Sequence, residues 1–198
     1  MAVDAIASAL DATADIVLRW HGEELDRLLD EAHARLVDEV ARRLTALGWV
    51  VAVEVSFSRY GERGSIDVMA WHPVRRALVV IEVKSVTPDM QAMLGGLDRK
   101  ARLGPSIARE RGWNPESTGR LLVIWATRTN RRRIDGHRES VRAVLPAGTR
   151  EVTRWLADPD GAPVAGVWFV TTGRGADGTG IRVKRVRVRK AASNEGKS

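Results

Sequence analysis

The sequence contains no cysteine. Disulfide bonds, thiol nucleophiles and zinc sites made of thiolates are therefore excluded, and the composition fits the reducing cytoplasm, where we expect the protein to lie. No apolar run approaches the roughly 20 residues that a membrane-spanning helix needs, so we expect no membrane partner. No basic stretch precedes an apolar one near the N-terminus, so no secretory signal is predicted.

The charge of the chain is unevenly distributed. The formal net charge is +7 over 198 residues. Residues 181–198 contain seven basic residues and one acid, whereas residues 1–57 contain five arginines against eleven acids. This polarity fits a protein that presents one side to a polyanion such as nucleic acid, although a solvated tail has the same composition.

The hydrophobic pattern predicts one globular α/β domain. We expect a leader or short helix over residues 1–21, the domain over 22–172, and a Gly-rich loop with a basic tail over 173–198. The predicted helices and strands alternate as follows: a helix over Gly22–Leu47, strands over Trp49–Phe57, Gly64–Trp71 and Ala77–Ser85, a helix from Thr87 to Gly104–Pro105 with a short continuation over Ser106–Arg111, a strand over Leu121–Ala126, a helix over Thr129–Leu145, and a strand over Val164–Val170.

This order favours a mixed sheet. The first three strands can form an antiparallel meander, and the fourth returns through a helix to pair in parallel. In the first strand, Val51, Val53 and Val55 are predicted to share one face. Thr87 is predicted to cap the second helix with its hydroxyl group.

Two acids and a lysine lie on the predicted second and third strands. A turn centred within His72–Arg76 places Asp67 opposite Glu82, with Lys84 opposite Ser65 on the same face. Directly opposed like charges destabilise a sheet, so something positive is expected between the carboxylates. A divalent cation that prefers oxygen ligands is the natural candidate.

A further acid faces the predicted core from the first helix. Glu39 lies about 60° from Leu36 around the helix axis, inside the apolar arc. Because a carboxylate facing a core needs either a partner or a function, Glu39 is a candidate site residue.

These residues resemble a known pattern. Gly64 to Asp67, followed after fifteen residues by Glu82-Val83-Lys84, resembles the PD-(D/E)xK nuclease superfamily, with Ile66 in place of the proline of the motif. The resemblance spans roughly residues 25–126. It implies a restriction-endonuclease-like αβββαβ core with a mixed central sheet flanked by helices.

The resemblance also implies roles for individual residues. Asp67, Glu82 and the carbonyl of Val83 would bind Mg²⁺ or Mn²⁺, and Lys84 would hold the attacking water. Glu39 would be the helical acid that many members place beside the metals. Five further residues would contact the nucleic acid, which we expect to be DNA: Arg59, Arg63, Gln91, Arg99 and Lys100.

The sequence leaves two alternatives to a Mg²⁺-dependent endonuclease. One is a non-catalytic nucleic-acid-binding or regulatory module on the same fold. The other is an interaction domain in which the Asp, Glu and Lys are a surface salt-bridge patch. A homodimer would suit cleavage of both DNA strands.

Overall fold

The computed structural model describes residues 23–59, 61–86, 89–160 and 162–171. The predicted leader and the predicted basic tail lie outside these residues. In chain order the helices and strands are α1 Glu23–Ala46, β1 Val50–Arg59, β2 Glu62–His72, β3 Ala77–Lys84, α2 Met90–Glu110, β4 Ser117–Trp125, α3 Arg128–Gly136, α4 Arg138–Val144, α5 Thr149–Ala157 and β5 Ala165–Val170.

The five strands form one mixed sheet in the order β1-β2-β3-β4-β5. β1, β2 and β3 pair antiparallel, and β3, β4 and β5 pair parallel. The predicted α/β class, the meander and the parallel fourth strand are therefore confirmed. The predicted register of the second hairpin is also confirmed, because Val68 pairs with Ile81 and His72 pairs with Ala77.

Both faces of the sheet are covered. Ile81 and Val83 of β3 pack into the core beneath α1 and α5. Leu78 and Val80 pack into the core beneath α2. Because side chains alternate along a strand, Glu82 points to the face that α2 covers.

The first helix ends within one residue of its predicted bounds, but its apolar stripe is buried only in part. Leu36, Val40 and Leu44 are buried, whereas Leu28 is 50% exposed and Leu47 is 39% exposed. A helix of 24 residues is about 36 Å long, and the eight residues of β3 span about 26 Å. The helix is therefore longer than β3.

The second helix is longer than predicted. It continues through Pro105 to Glu110, so the predicted end at Gly104–Pro105 and the separate short helix are wrong. Pro105 removes one backbone hydrogen bond. Burial of Leu103, Ile107 and Ala108 against the sheet holds the helix together on both sides of it.

The start of this helix also differs from the prediction. The cap is Asp89, whose carboxylate accepts hydrogen bonds from the backbone of Gln91 and Ala92 at 2.9 and 3.1 Å. Thr87, which was predicted to cap the helix, lies outside the described residues.

The C-terminal third contains two departures from the prediction. The single helix predicted over Thr129–Leu145 is two helices, α3 and α4, which meet at His137. Helix α5 was not predicted, although its buried residues Val152, Trp155 and Leu156 recur at helical spacing. The final strand is confirmed with a start one residue later than predicted.

Among the described residues, the helices are too short or too polar for any of them to cross a bilayer.

Candidate active site

The two acids of the hairpin converge beneath α2. The ammonium group of Lys100, from the middle of that helix, lies between them. Its Nζ is 3.6 Å from Oδ1 of Asp67 and forms a hydrogen bond with Oε2 of Glu82. The two carboxylates, from adjacent strands, therefore share one small region as the sequence predicted.

The position of Asp67 follows from the point where β2 and β3 part. Their ladder stops at Val68 and Ile81, but β3 continues beside β4 to Lys84. The backbone N–H of Val83 then has no partner on β2 and instead donates to Oδ2 of Asp67 at 2.7 Å. This hydrogen bond holds the Asp67 carboxylate against the free edge of β3.

An irregularity in β1 and β2 accompanies this parting. The ladder pairs Val53 with Val68 and Val55 with Ile66, but it skips Glu54 and Asp67 between them. Glu54 has a φ of 49°, a left-handed conformation that costs a residue other than glycine about 1–3 kcal/mol.

This irregularity reverses the alternation of β1. Val53 is 48% exposed and Val55 is 2% exposed, packed beneath α2 together with Ala52. The prediction that Val51, Val53 and Val55 share one face is therefore wrong. A steady alternation was assumed, and the left-handed backbone at Glu54 turns the following residues over.

Lys84 joins the cluster from the end of β3. Its Nζ lies 2.7 Å from Oε1 of Glu82, and its side chain is 30% exposed. The predicted ladder pairing of Lys84 with Ser65 is absent among the described pairs, because the two strands have already separated. Lys84 thus flanks Glu82 from the solvent side, whereas Lys100 reaches it from the helix.

A close contact between helix and strand places Lys100. A Cβ on Gly104 would lie 2.7 Å from Cγ2 of Val80, so α2 crosses β3 closely at this glycine. Lys100 precedes Gly104 by one helical turn, about 6 Å, and Glu82 follows Val80 by two strand residues, about 6.6 Å. These nearly equal steps set Lys100 over Glu82. From the sequence Lys100 was expected to contact nucleic acid, and this arrangement was missed.

The carboxyl ends of the parallel strands are tied together beside the carboxylates. Asn130, in the first turn of α3, is 3% exposed. Its amide donates to the carbonyl of Ser85 at 3.2 Å and to the carbonyl of Trp125 at 3.1 Å. The start of α3 is therefore fixed next to the residue that follows Lys84.

Helix α3 brings positive charge to this edge. Arg128, Arg131 and Arg132 have exposed side chains. The guanidinium carbon of Arg131 lies 4.5 Å from the centre of the Phe169 ring, which orients that side chain. No role was predicted for these basic residues from the sequence.

The structure does not bring Glu39 to the other acids. Helix α1 covers the opposite face of the sheet, and the Glu39 carboxylate is held by Arg42 at 2.7 Å and Arg43 at 2.6 Å. Burial by itself would raise the pKa of Glu39. The hydrogen bonds and charges of the two arginines outweigh burial and hold that pKa below its ordinary value.

The remaining predicted contacts are scattered around the site. Arg59, at the end of β1, is paired with Glu110 of α2. Arg63 is exposed on the part of β2 that extends beyond Asp67. Gln91 and Arg99 are exposed on α2. Of the five residues predicted to contact nucleic acid, only Lys100 touches the carboxylates.

A cleft elsewhere in the molecule has no relation to these groups. It has a volume of about 340 Å³ and lies at the amino end of β5, lined in part by Arg154, Trp155, Asp158 and Val164. The carboxylates lie at the carboxyl end of β3. The cleft is therefore separate from the candidate site.

The site supplies some, but not all, of the oxygen ligands that a hard divalent cation needs. The described residues contain no group of three or more His, Cys, Asp or Glu side chains placed to hold a metal. Mg²⁺, however, commonly takes only one or two carboxylates and completes its shell with water and substrate phosphate. Asp67 and Glu82 supply two, and the carbonyl of Val83 belongs to the same strand edge as its N–H.

Neither a scan against protein-family models nor a search of curated proteins returns a match for this chain.

Proposed function

We propose that this protein is a Mg²⁺- or Mn²⁺-dependent nuclease that hydrolyses phosphodiester bonds in DNA. The observation that supports the proposal best is the convergence of Asp67 and Glu82 from separate strands, with Lys84 flanking Glu82. Both carboxylates are mostly buried, with side chains 14% and 8% exposed. Burying like charges together is costly, so a function is a reasonable explanation for their retention.

Each group has a distinct role in this mechanism. Asp67, Glu82 and the Val83 carbonyl hold the cation, which when bound lowers the pKa of a water molecule and offsets charge that develops on the phosphate. The Val83 N–H fixes Oδ2 of Asp67, while Oδ1 faces the ammonium group of Lys100. Lys84 is more exposed than Lys100, so its ammonium is the one available to orient a water or a phosphate oxygen.

The arginines of α3 extend the site toward a polyanion. Asn130 fixes the first turn of this helix beside Ser85, so the exposed residues Arg128 and Arg132 belong to a helix that begins at the same edge of the sheet as Lys84. Arginines at such a position neutralise phosphates and hold the strand without reading its sequence. We therefore include α3 in the DNA-binding surface.

The order α1-β1-β2-β3-α2-β4 also supports a restriction-endonuclease-like αβββαβ core as the finer description of the fold. A cytoplasmic location and a homodimer that cuts both strands of a duplex accompany the proposal.

The ion pairs favour a second candidate function. Two carboxylates and two ammonium groups balance in formal charge, so the cluster is also explained as a structural element of a nucleic-acid-binding module that does not cleave. In that case α3 would still bind DNA.

Cleavage assays separate the two candidates. Plasmid, linear duplex, branched and single-stranded DNA are incubated with the native protein and Mg²⁺ or Mn²⁺, beside Lys84→Ala and a Glu31→Gln control that removes an exposed carboxylate from α1. The proposal expects metal-dependent cleavage by the native protein and by Glu31→Gln, with a large loss in Lys84→Ala. Binding of these DNAs without cleavage in either metal would instead support the binding module.

A further inference from the structure

Lys84 and Lys100 are not equivalent partners of the acids. Within the described part of the chain, Lys84 forms an ion pair with Glu82 and not with Asp67, and its side chain is 30% exposed. Lys100 reaches both acids, and its side chain is 12% exposed. Only Lys100 therefore lies between the carboxylates, in the region where a cation bound by both would have to lie.

The fold holds Lys100 there. The close crossing of α2 at Gly104 fixes the height of the helix over β3, and Lys100 lies one turn away from that contact. Leu97 and Leu103, which flank Lys100 along the helix, are buried in the same core. The position of the ammonium group is thus set by apolar packing rather than by a chance surface encounter.

We propose that Lys100 is a built-in counter-ion that a divalent cation must displace to be bound by Asp67 and Glu82. This inference rests on the proposed metal site. One ammonium group and one cation compete for the same oxygens, because both need the space between the carboxylates. The side chain of Lys100 is long and flexible, so it can swing toward solvent while the helix stays in place.

The exchange has two consequences for the protein. Lys100 keeps the paired acids neutralised and the site folded before the cation arrives, and it weakens the affinity for the cation by the free energy of its own contacts. The site then binds metal only when the binding free energy of the cation exceeds the free energy of the Lys100 contacts. A substrate phosphate that completes the coordination shell raises the binding free energy of the cation in this way.

The test compares the native full-length chain with Lys100→Met, which keeps the length of the side chain without its charge. Lys84→Met is the matched control, since it removes an ammonium that flanks one acid without lying between the two. Arg109→Met, an exposed position on the same helix, controls for a change of net charge. Thermal unfolding is measured in EDTA and in excess Mn²⁺, and Mn²⁺ affinity is measured by isothermal titration calorimetry.

In EDTA, Lys100→Met is expected to lower Tm by about 5–10 °C because it leaves two buried acids without their shared partner. Excess Mn²⁺ is expected to recover most of that loss. The Mn²⁺ affinity of Lys100→Met should exceed that of the native protein at least about tenfold, and Lys84→Met should gain clearly less. Arg109→Met should match the native protein in all three measurements.

Equal Mn²⁺ affinities in Lys100→Met and the native protein, equal gains in both lysine variants, or no Mn²⁺ binding by Lys100→Met would each overturn the proposal. If Lys100→Met does not fold, Lys100→Gln replaces it with the same expectations. The native cleavage assay is scored separately. Tighter Mn²⁺ binding by the variant with no cleavage by the native protein would keep this inference and reject the nuclease.

Discussion

Two clusters of opposite charges lie on opposite faces of the sheet, and they are built differently. On the α1 face, Glu39 is held by Arg42 and Arg43, three and four residues further along the same helix. On the α2 face, Asp67 and Glu82 come from two strands, and Lys100 comes from the helix above them. Helical neighbours of the first kind contribute about 0.5 kcal/mol each, and nothing beyond the helix is needed to form them.

The second cluster requires the whole fold. It depends on the parting of β2 and β3, on the hydrogen bond from Val83 to Asp67, and on the close crossing at Gly104. The second cluster places two mostly buried acids side by side, so the repulsion of like charges adds to the desolvation energy of each, whereas Glu39 is a single acid between two arginines. The comparison shows why Glu39 is a local salt bridge and Asp67 with Glu82 is the candidate site.

The largest expected difference between the two clusters is the effect of their substitutions on the rate of DNA cleavage. If the proposed function holds, Asp67→Asn and Glu82→Gln should each lower the rate of metal-dependent DNA cleavage about a thousandfold, because each would remove a ligand of a cation that stabilises the transition state by several kcal/mol. Glu39→Gln should stay close to the native rate. Single-turnover plasmid nicking measures all three, and a loss in Glu39→Gln as large as in Glu82→Gln would undo the contrast.

The arginines next to each cluster should differ in DNA affinity. Replacing Arg128 and Arg132 together by Ala should weaken binding to duplex DNA at least about tenfold. It should also lower the slope of log K against log salt by about 2, because each arginine neutralises one phosphate and each phosphate contributes about one unit to the slope. Arg35→Ala, at an exposed position on α1, should leave both unchanged. Fluorescence anisotropy over a salt series tests this, and equal slopes in all variants would remove α3 from the binding surface.

Stability should respond in opposite directions at two glycines of α2. Gly104→Ala forces a Cβ into Val80 and should destabilise the fold by about 1–2 kcal/mol. Gly95→Ala meets nothing within 4 Å and should stabilise the helix by about 0.5–1 kcal/mol. Urea unfolding at equilibrium gives both values. A stabilising Gly104→Ala would mean that α2 does not cross β3 as closely as the placement of Lys100 requires.

The smallest effect concerns Glu39 and pH. Its pKa is lower in the folded chain than the ordinary 4.5, because the two arginines outweigh the effect of burial. Such a group contributes stability above that ordinary value and loses it as the pH falls through the folded pKa. Glu39→Gln should therefore cost about 0.5 kcal/mol near neutral pH and reduce the loss of stability in acid. The urea midpoints of the native protein and of Glu39→Gln are measured from about pH 3 to about pH 7. If both proteins lose the same stability as the pH falls, this assignment is contradicted.

The parts that the sequence predicted are those governed by local pattern. The bounds of α1, the strand order and the register that pairs Val68 with Ile81 all follow from periodicity and one turn. The continuation of α2 through Pro105 did not, because tertiary packing overrides a helix breaker. The reversal at Glu54 depends on a backbone conformation that carries no signal in residue type.

The placement of Lys100 at the site also could not be predicted from local sequence pattern. Its distance from Glu82 depends on how closely a helix crosses a strand, and only the pairing of Gly104 with Val80 in space fixes that. Glu39 was predicted from its place on the helix face, but the face alone does not say which side of the sheet the helix covers.

A crystal grown with Mn²⁺ tests the central claim most directly, because anomalous diffraction locates the ion without any assumption about activity. The account predicts an anomalous peak about 2.1 Å from one oxygen each of Asp67 and Glu82, with the ammonium of Lys100 moved away from between them. A crystal with no peak at that position, and with Lys100 still joined to both carboxylates, would contradict it.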